Sequence, residues 1–342
     1  MLNLELNTSS GLSRIHVSES MENLKNIVDP SMTILLVDEN VLNFHNNKLE
    51  GFKHITIPEG EKSKSIENYS RIFAKLLEIG VDRSWRIVGI GGGVTTDLAG
   101  FVASTYFRGI AFGFVSTTLL GQVDASIGGK NGINFEGYKN LLGVIRQPEF
   151  VICDIDTLKS LPLVEFTDGF AEIIKYGFIK NPEISDFLED NIEAAFNQDR
   201  EVLKKIVYES IKVKVNIVQS DERELGERKI LNFGHTFAHA IEKLHGLSHG
   251  QSVSLGMILA TRMSASLGLI HSNVVDKLTL ILEKTGLPVK ADLDPNNMAE
   301  TMLKDKKKAG DILQFILLEA EGKAIVHKLK LADLKKILND LC

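Results

Sequence analysis

A glutamate and three histidines in the second half of the chain have the types and spacing of a divalent-metal site, and a lysine lies close to the glutamate. The segment LNFGHTFAHAIE places His235 and His239 four residues apart, on one face of a predicted helix. His249 follows in LSHGQSV, and Glu172 and Lys175 lie three residues apart in the otherwise apolar segment GFAEIIKYGFI. One carboxylate and two imidazoles, with positions left open for substrate, are typical ligands of a catalytic metal. The alternative is that the paired histidines are ordinary residues of a helix surface.

The segment GGGVTTDLAGF indicates a phosphate-binding turn. It follows the apolar run Arg86–Ile90 and leads into a predicted helix. Three glycines let a ligand approach the backbone closely, and the N–H groups at the start of a helix suit a pyrophosphate. The GxGxxG spacing of the usual dinucleotide fingerprint is absent. The segment therefore predicts phosphate or dinucleotide binding, with a tight strand-to-helix turn as the alternative.

Several basic residues lie where structure alone does not require them. On the predicted helix Arg200–Ser220, Lys214 falls on the apolar stripe, so it needs an anionic partner or extends to the edge of the stripe. Other basic residues lie in loops and in the polar, glycine-rich segment SIGGKNGINFEGYKN. The whole set is Arg108, Lys130, Lys139, Lys214 and Arg228. Such a set suits a substrate that carries phosphate and carboxylate groups.

The secondary structure that must position these residues changes in type near the middle of the chain, from alternating strands and helices to mostly helices. Up to about residue 155, short apolar runs alternate with helical spacing, which predicts a parallel sheet covered on both faces. The predicted strands are Thr33–Val37, Ile55–Ile57, Arg86–Ile90 and Ala111–Val115, and the clearest helix is Ile66–Leu77.

Beyond about residue 162 helical spacing dominates the sequence. The predicted helices are Glu183–Phe196, Arg200–Ser220, Ile230–Leu244, Ser252–Leu267 and Asn273–Thr285, and strand-like runs return only at Leu313–Leu318 and Ala324–His327. We therefore predict an α/β domain over residues 1–160 and a mostly α-helical domain over residues 161–342.

Composition narrows the class of protein. The 342 residues include 39 Lys and Arg and 45 Asp and Glu, for a net charge of −6, and 44% are hydrophobic. These values are typical of a globular chain and exclude a disordered one, and the acidic balance argues against a nucleic-acid partner. No segment has the length and hydropathy of a membrane span. Two cysteines without a CxxC motif favour a reducing compartment, so we expect a cytoplasmic protein.

The ordered motifs resemble those of one family, the 3-dehydroquinate synthases. They run from PEGEKSK to DKKKAG and include GGGVTTDLAGF, STTLLGQVDASIGGK, AEIIKYG, LNFGHTFAHAIE and HGQSVSLGM. The resemblance implies a Rossmann-like domain that holds NAD and a helical domain that holds a metal, an architecture similar to that of glycerol dehydrogenases, in a homodimer. It implies conversion of 3-deoxy-D-arabino-heptulosonate 7-phosphate to 3-dehydroquinate and phosphate. The steps would be transient oxidation by NAD, phosphate elimination, reduction and aldol closure.

The resemblance also implies a role for individual residues. It gives Glu172, His235 and His249 as ligands of Zn²⁺ or Co²⁺, and His239 as an acid–base on the substrate side. The implied NAD contacts are Glu59, Gly60, Glu61, Lys62, Ser63, Lys64, Gly93, Val94, Thr95, Thr96, Asp97, Thr117, Thr118, Lys139, Thr157, Leu158, Lys159 and Ser160. The implied contacts with the sugar phosphate are Arg108 (from the second subunit), Asp124, Lys130, Asn140, Lys175, Lys214, Arg228, Asn232, His239 and either Lys306 or Lys307.

Two positions depart from the family pattern. Asn131 replaces the threonine after Lys130, and Gln251 replaces an acidic residue in the motif that begins at His249. The alternatives among enzymes are a sister sugar-phosphate cyclase that forms valiolone- or inosose-type rings, and a metal- and NAD-dependent polyol dehydrogenase. A polyol dehydrogenase should lack the lysine and arginine set, because its substrates carry no phosphate. A third alternative, an inactive NAD- or metal-binding regulator, is disfavoured because the motif residues are all present.

Overall fold

The computed structural model describes residues 2–306 and 311–341, without the side chains of residues 304–306. The expected substrate contact of Lys306 or Lys307 lies outside the described side chains. The strands are β1 (Leu2–Thr8), β2 (Gly11–Val17), β3 (Thr33–Asp38), β4 (Lys53–Ile57), β5 (Arg86–Gly91), β6 (Ala111–Ser116), β7 (Lys130–Phe135), β8 (Tyr138–Ile145), β9 (Phe150–Cys153), β10 (Ile312–Ala320) and β11 (Lys323–Lys330).

The α-helices are α1 (Glu39–His45), α2 (Ile66–Ile79), α3 (Gly93–Thr105), α4 (Leu163–Ile179), α5 (Pro182–Phe196), α6 (Arg200–Ser220), α7 (His235–His245), α8 (His249–Ser266), α9 (Ser272–Lys284), α10 (Pro295–Lys306) and α11 (Leu334–Leu341). None of these helices, over the described ranges, has the length and hydropathy needed to cross a lipid bilayer. The chain forms two compact units, one built from residues up to 166 together with 198–223, and the other from residues 167–197 and 224 onwards.

Unit 1 is built on a seven-stranded sheet in the order β1-β2-β9-β6-β5-β3-β4. Only the β1–β2 pair is antiparallel, and the other neighbours are parallel. Strands β3, β5, β6 and β9 are buried along almost their whole length, which is the pattern of a sheet covered on both faces. The predicted fold class, with a Rossmann-like α/β domain followed by a mostly helical region, is confirmed.

Sequence reasoning missed two hairpins and one central strand of unit 1. The hairpin β1–β2 begins the chain, and β7–β8 occupies the polar, glycine-rich segment around Lys130. Strand β8 is mostly exposed, so it lacks the apolar alternation that would indicate a strand. Strand β9 has four residues, fewer than a periodicity test needs.

Helix α6 belongs to unit 1, although the predicted division at residue 160 counted it with the helical domain. The hydrophobic stripe of a helix shows which face is buried but not which domain covers it. Here Leu203, Val207 and Ile211 are buried. Lys214 binds Asp124 within the same unit, with 2.6 Å from its Nζ to both the carboxylate and the backbone oxygen. The stripe lysine therefore has an anionic partner.

Unit 2 packs α7 against α8 and α10, and α8 against α9 and strand β10. The predicted helix Ile230–Leu244 is interrupted in the structure. A 3₁₀ turn covers Glu227–Asn232, and α7 begins at His235 after Gly234, whose φ of +80° breaks the helical path. The break places His235 at the first position of a helix rather than in its middle.

The tip of the β1–β2 hairpin is fastened to the residues that follow α6 through one carboxylate. Ser9 Oγ donates to Glu222 Oε2 at 2.5 Å, Ser10 Oγ donates to Oε1, and Gln147 Nε2 donates to Oε1 at 3.2 Å. Burial alone would raise the pKa of Glu222, but hydrogen bonds from Ser10, Ser9, Thr8 and Gln147 lower its pKa to about 2. The carboxylate therefore stabilises the fold in its charged form.

We expect Glu222→Gln to lower the free energy of unfolding at pH 7 by about 1 kcal/mol, a modest loss because water partly screens the group. The folded pKa lies below the value of about 4.3 for an unfolded glutamate. The contribution is therefore complete above about pH 4.5 and is lost as the pH falls towards 2. Urea unfolding followed by circular dichroism at pH 7 and pH 3 measures this. Glu78→Gln, on the exposed face of α2, is the control. An equal loss at both pH values would contradict the charge-based explanation.

Candidate functional site

Three ligand-type side chains converge in unit 2. Glu172 lies on α4, whereas His235 and His249 are the first residues of α7 and α8. Glu172 Oε1 lies 3.1 Å from His249 Nε2 and 3.5 Å from His235 Nε2, and the three ligand atoms all lie within 4.8 Å of one another. Ligands bonded to one zinc at about 2.1 Å in tetrahedral geometry are about 3.4 Å apart. The spacing therefore fits a single divalent ion.

The burial of this cluster and the charge of Lys175 favour the protonation state of His235 that binds a cation. Glu172 is fully buried and forms an ion pair with Lys175, which is buried one turn further along α4. Burial lowers the pKa of His235 to about 3; the attraction of Glu172 opposes this shift, and the positive charge of Lys175 adds to it. His235 is therefore neutral at physiological pH, which is the protonation state that binds a metal.

Close backbone contacts bring the starts of α7 and α8 together. A Cβ atom on Gly256 of α8 would lie 2.2 Å from the carbonyl oxygen of Gly234, the residue before His235. A Cβ on Gly250, the residue after His249, would lie 2.4 Å from the Cα of Asp168 on α4. Both histidines thus lie next to a glycine that allows two backbones to touch.

The departure at Gln251 retains a structural role. Its Oε1 accepts from the backbone N–H of Ser248 at 3.2 Å, and the Ser248 hydroxyl accepts from the backbone N–H of Gln251 at 3.3 Å. This reciprocal pair is a capping box, in which glutamine and glutamate are equivalent. Burial raises the pKa of Asp168, while hydrogen bonds from Ser248 and from the backbone of Gly250 oppose that shift.

Sequence reasoning missed two acidic residues of unit 2. Asp168 accepts from Ser248 Oγ at 2.7 Å, and its position four residues before Glu172 on the same helix was a usable signal. Glu224 accepts from the side-chain amide of Asn232, a predicted substrate contact. Its signal was the polar stretch DERELGER, which also holds Arg228.

The remaining predicted residues of unit 2 lie on the segment that leads into α7. Arg228 is buried in the 3₁₀ turn, and Asn232 ends that turn. His239 is exposed one turn beyond His235, with a ring-centroid separation of 6.0 Å. His239 is therefore an exposed imidazole close to the candidate metal ligands.

Most of the predicted NAD contacts lie at one edge of the unit 1 sheet. Strands β3, β4, β5, β6 and β9 are parallel, so their carboxyl ends meet at the same edge, where α/β sheets bind ligands. The predicted contacts that follow these ends are Glu59–Lys64 after β4, Gly93–Asp97 after β5, Thr117 and Thr118 after β6, and Thr157–Ser160 after β9. Lys139 is the exception, because it lies on β8.

The glycine turn after β5 has the form of an anion site. A Cβ on Gly92 would lie 2.9 Å from Thr118 Cγ2, so a glycine is needed there. Gly92 is the N-cap of α3, and no side chain among the described residues caps this helix. The first N–H groups of α3 therefore suit a phosphate.

A buried ion pair beside this turn joins two predicted NAD contacts, Lys64 and Asp97, and a hydrogen bond links Lys64 to a predicted substrate contact, Asn140. Lys64 Nζ donates to Asp97 Oδ2 at 2.6 Å and to Asn140 Oδ1 at 2.5 Å. Burial raises the pKa of Asp97 to about 6, and the charge of Lys64 opposes that shift. By contrast, Arg108 and Lys130 are placed elsewhere in unit 1. Arg108 ends a 3₁₀ turn with a φ of +66°, and Lys130 is exposed at the start of β7.

Asp38 is a further acidic residue at the sheet edge that sequence reasoning did not assign. It ends β3 and accepts from Thr95 Oγ1 at 3.3 Å, and burial raises its pKa. Sheets of this kind bind ribose hydroxyls with such a carboxylate. The signal was the apolar run Thr33–Val37 ending in an acid.

Solved structures with this fold cover essentially the whole chain. A 2-deoxy-scyllo-inosose synthase complexed with carbaglucose-6-phosphate, NAD⁺ and Co²⁺ has a TM-score of 0.88 and 23% identity, over 100% of both chains. A 2-epi-5-epi-valiolone synthase from Streptomyces hygroscopicus subsp. jinggangensis with NAD⁺ and Zn²⁺ bound has a TM-score of 0.86 and 22% identity, over 100% of this chain and 99% of that one. At these identities the likeness shows the fold.

Sequence comparison assigns the family. Residues 54–168 match the family model described as 3-dehydroquinate synthase N-terminal, and residues 169–308 match 3-dehydroquinate synthase C-terminal. A protein of Nitrosospira multiformis named 3-dehydroquinate synthase is 44% identical over 277 residues, which are 80% of this chain and 76% of that protein. The chain therefore belongs to the 3-dehydroquinate synthase family.

Proposed function

We propose that this protein converts 3-deoxy-D-arabino-heptulosonate 7-phosphate to 3-dehydroquinate and phosphate, as a phosphate-eliminating carbon–oxygen lyase of the shikimate pathway. The observation that carries the proposal is the convergence of Glu172, His235 and His249 within 4.8 Å. It occurs in a chain whose relatives, at about 40% identity, have the name of this activity. The cluster supplies a metal site on the helices that also carry Lys175 and His239.

We propose NAD and one divalent ion, Zn²⁺ or Co²⁺, as cofactors. Glu172, His235 and His249 would hold the ion, and the carboxyl edge of the unit 1 sheet would hold NAD, with the pyrophosphate at the start of α3. Two proteins of the same fold, solved with NAD⁺ and with Co²⁺ or Zn²⁺, support this assignment. The chemistry that these groups supply when bound is polarisation of a sugar hydroxyl and reversible hydride transfer.

His239 and Lys175 are the proposed proton-handling residues. His239 is exposed, and histidine is the side chain that most often acts as a general acid or base. Lys175 has three N–H donors, of which the ion pair with Glu172 uses one. It can donate another to the hydroxyl oxygen of the substrate while its charge balances that of the carboxylate.

The basic residues are the proposed anion contacts. Arg228 presents a planar set of donors that matches a phosphate, and we assign the phosphate to Arg228, Lys130 and Asn140. Lys214 and one lysine of the KDKKK run would contact the carboxylate and hydroxyl groups. Asp124 orients Lys214 through the two contacts at 2.6 Å. Asn232 is oriented in the same way by Glu224.

Three further features rest on the family resemblance and the composition. We propose a homodimer in which Arg108 reaches the site of the second subunit. We propose that residues 1–160 form the NAD-binding domain and residues 161–342 the metal- and substrate-binding domain, except for α6, which belongs to unit 1. We also propose a cytoplasmic location.

The reaction is tested by incubating the purified protein with the heptulosonate phosphate, catalytic NAD⁺ and either Zn²⁺ or Co²⁺. We expect metal-dependent release of phosphate with no net gain in absorbance at 340 nm, because the NADH formed is consumed again. Steady accumulation of NADH without phosphate would indicate a polyol dehydrogenase instead. No reaction, followed by turnover of sedoheptulose 7-phosphate or glucose 6-phosphate, would indicate a sister cyclase.

We expect Glu172→Gln to weaken metal binding at least about 100-fold, because it removes the anionic ligand from a buried cluster. The metal content after dialysis, measured by elemental analysis, reports this. Glu183→Gln, on the exposed face of α5, is the matched control and should retain its metal. If Glu172→Gln fails to fold, His249→Ala takes its place in the test. This variant removes a more exposed ligand and should also weaken metal binding. Full metal occupancy in both folded variants would contradict the ligand assignment.

We expect His239→Asn to lower kcat by about 100-fold or more, the usual contribution of a positioned acid–base group. Metal content and the melting temperature should stay at the parent values, because the ring is exposed and lies outside the ligand cluster. Steady-state phosphate release measures the effect. Near-full turnover by the variant would remove His239 from the mechanism without affecting the metal assignment.

A further inference from the structure

We infer that Asp168 is a positioning residue that fixes the metal ligand His249 against Glu172, an inference that rests on the metal site proposed above. Asp168 and Glu172 lie one turn apart on α4, so they share one face of the helix. Glu172 would bind the metal ion from that face. Asp168 accepts a hydrogen bond from Ser248, the N-cap of α8, and so holds the helix that begins with His249 against the same face.

The fastening is a continuous set of hydrogen bonds through Ser248. The Ser248 hydroxyl donates its proton to Asp168 Oδ1 at 2.7 Å and accepts from the backbone N–H of Gln251 at 3.3 Å. Gln251 Oε1 closes the box by accepting from the Ser248 backbone N–H at 3.2 Å. Each donor in this set thus has an acceptor. The carboxylate of Asp168 also lies at the N-terminal end of α8, where the helix dipole favours a negative charge.

The backbones of the two helices touch at the same point. A Cβ on Gly250 would lie 2.4 Å from the Cα and 2.5 Å from the carbonyl oxygen of Asp168. Only a glycine at this position allows the first turn of α8 to approach α4 so closely. The hydrogen bonds fix the direction of the approach, and the glycine fixes its distance.

His249 needs such support more than the other ligands do. Its side chain is 36% exposed, compared with 14% for His235 and 0% for Glu172. Packing therefore restrains the imidazole of His249 least, and its place is set by the backbone from which it projects. The distance of 3.1 Å from His249 Nε2 to Glu172 Oε1 depends on where α8 begins.

The test uses Co²⁺ alone as the probe, without substrate or NAD, and follows the visible absorption of the bound ion during titration. We expect Asp168→Ala to raise the dissociation constant for Co²⁺ by about 10- to 100-fold and to change the absorption spectrum, since outer-shell partners of metal ligands have effects of this size. Asp168→Asn keeps an oxygen that accepts from Ser248 and should show a smaller loss. Asp276→Ala, an exposed acid on α9, is the control.

A His249→Ala background separates positioning from general stability. If Asp168 acts through His249, Asp168→Ala adds no further loss of Co²⁺ affinity in that background. A loss of the same size with and without His249 would overturn the inference, as would parent-like affinity in Asp168→Ala. If Asp168→Ala does not fold, Ser248→Ala, which removes only the bridging hydroxyl, must show the same dependence on His249.

The failure of this inference and the failure of the metal site give different results. A parent protein that binds Co²⁺ through Glu172, together with an Asp168→Ala variant that binds it equally well, would overturn the positioning role alone. A parent protein whose Co²⁺ binding is unaffected by Glu172→Gln would overturn both the metal site and the role of Asp168.

Discussion

Glu172 carries its negative charge where water does not reach, and the organisation of unit 2 around the cluster follows from that constraint. A lone carboxylate in such a place would be strongly destabilising unless other groups compensate its charge. Lys175, buried one turn away, supplies a counter-charge, and His235 and His249 present nitrogen atoms to the other side of the same carboxylate. The pair with Lys175 alone would not require two imidazole nitrogens beside the other oxygen of Glu172, with all three ligand atoms within 4.8 Å of one another. This convergence is why the cluster is better explained as a candidate metal site than as a structural ion pair.

Close contacts between backbones make the cluster possible. The two histidines begin their helices, and each lies beside a glycine position at which a neighbouring element leaves no room for a side chain. In unit 1, too, a close contact at a glycine positions the candidate site. The parallel strands end at one edge of the sheet, and the turn at Gly92 packs closely against Thr118. In both units, rigid elements hold the chemical groups and short glycine-containing turns bring those groups together.

Sequence reasoning identified the parts of the fold and site that depend on local pattern. The spacing of the histidines, the glycine turn after β5 and the apolar strands all predict structure from neighbouring residues, and the family resemblance selected His235 rather than His239 as the ligand. Features decided by distant partners were not predictable. The stripe of α6 does not show that Asp124 will meet Lys214, and nothing local indicates that Asp168 will accept a hydrogen bond from Ser248, 80 residues further along the chain. The break at Gly234 was missed because the helical spacing continues through it.

The proposed chemistry depends on the binding of one divalent ion by Glu172, His235 and His249. A crystal of the protein grown with Zn²⁺ or Co²⁺, with diffraction data collected at the absorption edge of that metal, tests it most directly. We predict a single strong anomalous peak about 2.0–2.2 Å from one oxygen of Glu172 and one nitrogen of each histidine. An anomalous peak at a different set of residues, with Glu172 still paired only to Lys175, would contradict the account.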